Sequence, residues 1–186
     1  RVWSKEELGK MADICLKHDV KIFSDEIHSD LIFPGNKFTS ILSLDEKYRS
    51  ITAAAMAPSK TFNIAGLSSS IVLIPGGDMR KRYEKISEGV AIGGLNIFGL
   101  TAMEAAYKYG EEWLEEVLKY IEKNSDYMEG FIKENMPEVK YRKPEATYLG
   151  WLDFRKIFSK QKDLDDFLIN KAKVALNSGI TFGKNG

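Results

Sequence analysis

Ile51-Thr52-Ala53-Ala54-Ala55-Met56 is the stretch on which the fold turns. It is short, mostly apolar and free of the polar alternation of a half-solvated strand, so it reads as a strand buried on both faces. Burial of that kind belongs to parallel sheets covered by helices. Upstream, Val20-Lys21-Ile22-Phe23-Ser24 is rich in β-branched and aromatic residues and supplies a first strand. Downstream, Ser69 to Ile74 supplies a third, ended by Pro75-Gly76-Gly77, after which Asp78 is placed to cap a helix through Met79, Tyr83 and Ile86. Near the start, Ser4 and Glu7 have capping-box spacing, and Leu8, Met11, Ala12 and Cys15 recur at helical intervals. Residues 5–18 therefore predict an amphipathic helix.

From about Phe98 the character changes to long helices. Residues 99–109 and 112–135 are rich in Ala, Leu, Glu and Lys, with Gly110 between them and Pro137 beyond. Glu115 and Lys119 lie four apart, as on a solvated helix face. A strand near Thr147 to Phe154, a helix near Asp163 to Lys173 and a short strand near Val174 to Asn177 complete the reading. This tail predicts a small second domain joined by the long helix. The aromatic residues Trp113, Tyr148 and Trp151 have spacing that suits packing in a core.

Composition narrows the function classes. The 186 residues are 44% apolar and 29% charged, with 27 Lys plus Arg against 27 Asp plus Glu. That balance favours no polyanionic partner, so no nucleic acid is expected. No apolar run is long enough to cross a bilayer, and Arg1 to Glu7 carries no apolar signal region. The single cysteine, Cys15, excludes an internal disulfide and reads as a small core residue. The chain starts without Met and ends in a loop from Asn177 to Gly186, so a fragment is expected.

Two segments carry more polar residues at strand ends than packing needs. Ser24-Asp25-Glu26-Ile27-His28-Ser29-Asp30 follows the first strand, and Ala57-Pro58-Ser59-Lys60-Thr61-Phe62-Asn63-Ile64-Ala65-Gly66 follows the second. Ligands of open α/β sheets bind outside the carboxyl ends of the strands. The interval from Asp25 to Lys60 suits neighbouring strands joined by a crossover. Singly, each residue has a plain explanation: Asp25 and Glu26 as turn acids, His28 as a loop residue, Lys60 as a surface lysine. Metal sites of the first transition row usually gather more His or Cys ligands, so no metal is expected.

Together the segments resemble the fold-type I pyridoxal-phosphate enzymes of the class I/II aminotransferase superfamily. Within it they are most similar to the MalY/PatB-type cystathionine β-lyases, also called carbon–sulfur β-lyases. Arg1-Val2-Trp3-Ser4-Lys5-Glu6-Glu7-Leu8, Ala105-Ala106-Tyr107, Gly110-Glu111-Glu112-Trp113-Leu114 and Ala146-Thr147-Tyr148-Leu149-Gly150-Trp151-Leu152-Asp153 share in the likeness, which runs over essentially the whole chain.

The resemblance implies an α/β fold: part of a large domain with a mostly parallel sheet and helices on both faces, plus part of a small α/β C-terminal domain. Residues 1–110 would be the C-terminal half of the large cofactor-binding domain. Residues 111–186 would be the connecting helix and a truncated small domain. The implied cofactor is pyridoxal 5'-phosphate, held covalently by the amine of Lys60, which also moves the substrate's α-proton. Asp25 would contact the ring nitrogen, and Ser59 the phosphate. His28 stands where aminotransferases usually have a Tyr that contacts the cofactor's phenolic oxygen. Asn96, within Gly93-Gly94-Leu95-Asn96, would reach the neighbouring subunit's site, or simply open a helix.

Departures from the aminotransferase pattern are Ala57 for a Ser, Asn63 for a Gly and Ser68 for an Arg. They favour the lyase group. Other family parts are absent from this chain: the N-terminal phosphate loop, the ring-stacking aromatic, an Asn before Arg1 and the C-terminal Arg for the substrate carboxylate. The implied protein is a cytoplasmic homodimer acting on an L-cysteine S-conjugate. An aminotransferase shares cofactor, lysine and fold, and a non-catalytic interaction or regulatory module is the alternative of a different class.

Overall fold

A computed structural model of the chain describes residues 1–90, 94 and 96–183. Its elements in order are α1 (Lys5–Lys17), β1 (Ile22–Asp25), β2 (Thr52–Met56), α2 (Pro58–Thr61), β3 (Ile71–Leu73), α3 (Gly77–Gly89), α4 (Ile97–Tyr109), α5 (Glu111–Asn135), β4 (Lys140–Tyr141), β5 (Leu152–Asp153) and α6 (Gln161–Phe167). They group into two compact units. One comprises Arg1–Glu122 with Glu145–Tyr148, the other Lys123–Pro144 with Leu149 onward.

The first unit holds a three-stranded sheet of order β1-β2-β3. β1 and β2 run parallel with Ile22 beside Thr52 and Asp25 beside Ala55, whereas β3 is antiparallel to β2. The parallel expectation thus holds for the pair that carries the polar segments, and β3 adds the antiparallel strand that many mixed α/β sheets possess. In β2, Thr52, Ala53 and Ala54 are almost fully buried. The Thr52 hydroxyl, which burial would otherwise strand, donates to the Tyr48 carbonyl at 3.0 Å.

Residues between β1 and β2 contain no α-helix, only two short 3-10 turns at Ile41–Ser43 and Glu46–Tyr48. Each turn is started by a side chain: Ser40 accepts from Leu42 N–H and Asp45 from Lys47 N–H. Tyr48 and Ile51 from this crossover pack on Ala12 of α1, with Cys15, Leu16, Ile22 and Leu44 around them. The capping box forms as the spacing implies. Glu7 N–H donates to Ser4 Oγ at 3.2 Å and Ser4 N–H to Glu7 Oε2 at 2.9 Å.

Asp78 does not cap α3. The cap position falls on Gly76, without a side-chain hydrogen bond, and Asp78 lies in the first turn, where its charge suits the positive end of the helix. Lys119 pairs with Glu116 at 2.8 Å rather than with Glu115, because three residues also bring side chains onto one helix face.

In the second unit, β4 and β5 form a two-stranded antiparallel ribbon. The Tyr141 and Ser125 hydroxyls lie 2.9 Å apart, and Ser125 is buried along with Ile132 and Val139. The expected strand at Thr147 to Phe154 shrinks to two residues, and Val174 to Asn177 is not a strand. α6 instead passes into a π-helical turn, Leu168–Ala172, closed by Lys173 at φ +58°. The left-handed residue ends the helical run before a strand can follow.

Candidate functional site

The strand register decides where the polar segments go. Glu26 N–H donates to Ala55 O at 2.7 Å, extending the β1–β2 ladder one residue past Asp25. Asp25 is therefore the last residue of β1, beside Ala55, and the β2 chain passes through Met56 and Ala57 into α2, where Lys60 is the third residue. Asp25 thus sits at, and Lys60 beyond, the carboxyl ends of adjacent parallel strands. Pro58 at the first helical position presets the backbone, and Phe62 N–H closes the turn on Pro58 O at 2.8 Å.

His28 links the two segments electrostatically. Burial holds its imidazole below the ordinary value of 6.5, the Lys60 charge adds to that, and the Asp25 charge opposes it. Both charges thus reach one ring. His28 Nδ1 is buried without a hydrogen-bond partner among the described residues, and the ring meets Tyr148 edge-on at 5.6 Å and 75°. Asp25 Oδ1 accepts from Ile27 N–H at 3.2 Å, an Asx turn that fixes the carboxylate at the strand end.

A histidine that protonates less readily folded than unfolded stabilises the fold while neutral. That contribution is whole above pH 6.5 and is lost as pH falls through that value toward the lowered one. His28→Gln in the full-length protein is expected to flatten the acid-side decline of the thermal midpoint below pH 6.5. A decline of unchanged steepness would show that the His28 ring does not set it.

A cleft of about 320 Å³ opens at Lys60, within the roughly 300–1,000 Å³ of small-molecule sites. Ser59, Lys60 and Asn63 give it polar atoms, while Leu31, Trp113 and Tyr148 give it apolar walls. Asp25 is not among its lining residues. Trp113 and Tyr148 are 45% and 47% exposed, so the expectation of a core role fails for both. Trp151, 53% exposed, meets Phe182 in the second unit. Thr147, at φ +69°, turns the chain immediately before Tyr148. A β-branched residue in the left-handed region is strained, and such strain gathers at sites whose side chains must be aimed.

Two of the departures noted in the sequence are backbone choices. Asn63 and Ser68 sit at φ +54° and +50°. Asn is, after Gly, the residue that best tolerates this region, so Asn63 in place of Gly preserves the local turn.

Asn96 caps α4: its Oδ1 accepts from Gly99 N–H at 2.8 Å, and its Nδ2 donates to Leu67 O at 2.9 Å. Of the segment expected to reach a neighbouring subunit, Gly93 and Leu95 lie outside the described residues.

Sequence reasoning passed over three contributors. Glu26, 4% exposed, accepts from Ser40 Oγ at 3.0 Å and from Ile41 N–H at 2.9 Å, binding the crossover to the end of β1. Asp30 accepts from the Thr61 hydroxyl at 2.8 Å. Tyr148 joins cleft to imidazole. The clustering of acids after β1 was a visible signal, but which acid meets which partner depends on the crossover's path.

An amine, a carboxylate and an imidazole lie at or past the carboxyl ends of two parallel strands, where open α/β sheets bind their ligands. The whole chain, residues 1–186, matches the family Aminotransferase class I and II, and it belongs to that family. Cystathionine beta-lyase PatB of Bacillus subtilis is 44% identical over 186 residues, covering 100% of this chain and 48% of PatB. Protein MalY of Escherichia coli is 32% identical over 190 residues, covering 100% of this chain and 47% of MalY. The crystal structure of cystalysin from Treponema denticola, which contains pyridoxal 5'-phosphate, matches with a TM-score of 0.96 and 41% identity, covering 100% of this chain and 47% of cystalysin. The chain spans about half the length of these relatives.

Proposed function

We propose that the full-length protein is a pyridoxal-phosphate-dependent carbon–sulfur β-lyase. It would convert an L-cysteine S-conjugate such as cystathionine, with one water, into a thiol, pyruvate and ammonia. The observation that carries this reading is the placement of Asp25 at the carboxyl end of β1 and Lys60 just past that of its parallel neighbour β2. The residues suit the cofactor: an amine for its aldehyde, an acid for its ring nitrogen, and a buried imidazole nitrogen without a partner. The likeness to PatB and cystalysin supports the same reading.

Bound pyridoxal phosphate supplies an electron sink for the pair left at Cα. Lys60 would hold the aldehyde through its amine, and that same amine, when free, would take the substrate's α-proton. Asp25 would set its acidic side chain against the ring nitrogen, where it would favour a proton on that nitrogen. His28, held neutral by burial, can accept or donate one hydrogen bond at Nδ1 toward the phenolic oxygen. Ser59 offers its hydroxyl to the phosphate. The sulfur would leave Cβ with the bonding pair and take up one proton, balancing the α-proton that Lys60 removes, to give the thiol.

In this reading, residues 1–110 belong to the large domain, residues 111–186 to the connecting helix and small domain, and the working form is a cytoplasmic homodimer with Asn96 toward the partner's site. Among the described residues no helix is long and apolar enough to cross a membrane. Given cystathionine, the full-length protein is expected to release pyruvate and homocysteine-type thiol in equal amounts. Much faster amino-group exchange with a 2-oxo acid would establish an aminotransferase instead.

A further inference from the structure

We propose that Asp30 is a positioning residue for Lys60, acting through its hydrogen bond to Thr61; this rests on the role given to Lys60 above. α2 has four residues, and a helix of one turn has no stability of its own. The Lys60 backbone is fixed by what its neighbours hold. On one side Thr61, 1% exposed, donates Oγ1–H to Asp30 Oδ2 at 2.8 Å. On the other, the Phe62 ring packs against Tyr107 at 5.8 Å and Trp113 at 5.7 Å. It does so at the α4–α5 corner, where a side-chain carbon on Gly110 would collide with it.

Asp30 is in turn part of the segment that carries Asp25 and His28. Backbone bonds from Ser29 N–H to Glu26 O (3.0 Å) and Leu31 N–H to His28 O (3.0 Å) fold that segment into consecutive turns. The ladder between the two parallel strands ends at Glu26 and Ala55. Beyond it, the Thr61–Asp30 bond ties the amine-bearing segment to the segment with the acid and the imidazole. Burial and, to a smaller degree, the Asp30 charge also push the Tyr107 phenol above its ordinary value, which sets Asp30 close to the Phe62 anchor as well. A buried Thr hydroxyl deprived of its acceptor is costly, so the bond resists loosening.

The test uses the full-length protein and two readouts. One is amide exchange at Phe62 in the cofactor-free form, which reports opening of α2. The other is retention of added pyridoxal phosphate, followed by the pH midpoint and strength of its absorbance band. Asp30→Ala and Thr61→Val are each expected to speed Phe62 exchange by about tenfold and to weaken cofactor retention similarly. Asp30→Asn, which keeps a carbonyl acceptor, and Thr61→Ser, which keeps the hydroxyl, should restore both. The double variant should be no worse than either single one, as for two partners of a single bond.

Unchanged exchange in the two deleting variants, effects that simply add, or no rescue by the conservative pair would overturn the proposal. If Asp30→Ala does not fold, the Thr61→Val and Thr61→Ser comparison decides alone. If the wild type takes up no pyridoxal phosphate, the role of Lys60 falls, and the exchange measurements still decide the tie itself.

Discussion

Lys60→Ala in the full-length protein is expected to abolish the near-visible absorbance of covalently held pyridoxal phosphate and to leave the fold intact. The second half of that expectation follows from the structure. Lys60 is exposed, and α2 is held by Thr61 and Phe62 rather than by the lysine. Loss of the proton-transfer role alone should lower pyruvate formation by about 10²–10⁴-fold, and loss of the anchor adds to this. Absorbance spectra with added cofactor and a steady-state pyruvate assay measure both. A persistent band or an undiminished rate would remove Lys60 from the chemistry. A wild type without any band would favour a non-catalytic module.

Asp25→Ala is expected to produce a different defect: cofactor still anchored, chemistry slow. The Asp25 carboxylate lies at the end of β1, its Oδ1 engaged by Ile27 N–H at 3.2 Å. Nothing in the hydrophobic core depends on it. An opposite charge beside a titrating group shifts its pKa by about 1–3 units, so removing the carboxylate should cost roughly 10–10³-fold in kcat. Asp25→Glu, which keeps the charge on a longer arm, should recover part of the rate. The anchored band should persist in Asp25→Ala, with its pH midpoint displaced. Equal rates for Asp25→Ala and wild type would show that the ring nitrogen takes its proton from elsewhere.

Much of this protein was legible along the chain. The alanine run of β2 announced double-sided burial because small apolar residues without alternation leave no face for water. Ser4 and Glu7 announced the start of α1 because a capping box is satisfied within one turn. Lys60 and Asp25 were legible as a pair because each follows a strand. Where the reading missed, either a contact far off in sequence or the local start of a helix decided. Tyr148 and Trp113 looked like core aromatics from their spacing, yet each keeps nearly half of its surface exposed along a cleft. Asp78 had the right residue type for a cap, but the helix started earlier, at the paired glycines.

The sequence by itself determined the local elements and the chemical groups available, because caps, periodicity and side-chain acidity act within a few residues. Only the tertiary structure decided which groups meet. The parallel register set Asp25 beside Ala55, and the helix-free crossover returned Thr61 to Asp30 and left a buried imidazole nitrogen open at His28. Those meetings depend on the path of a loop between strands, and such a path is selected by packing over the whole unit rather than by any residue's own preference.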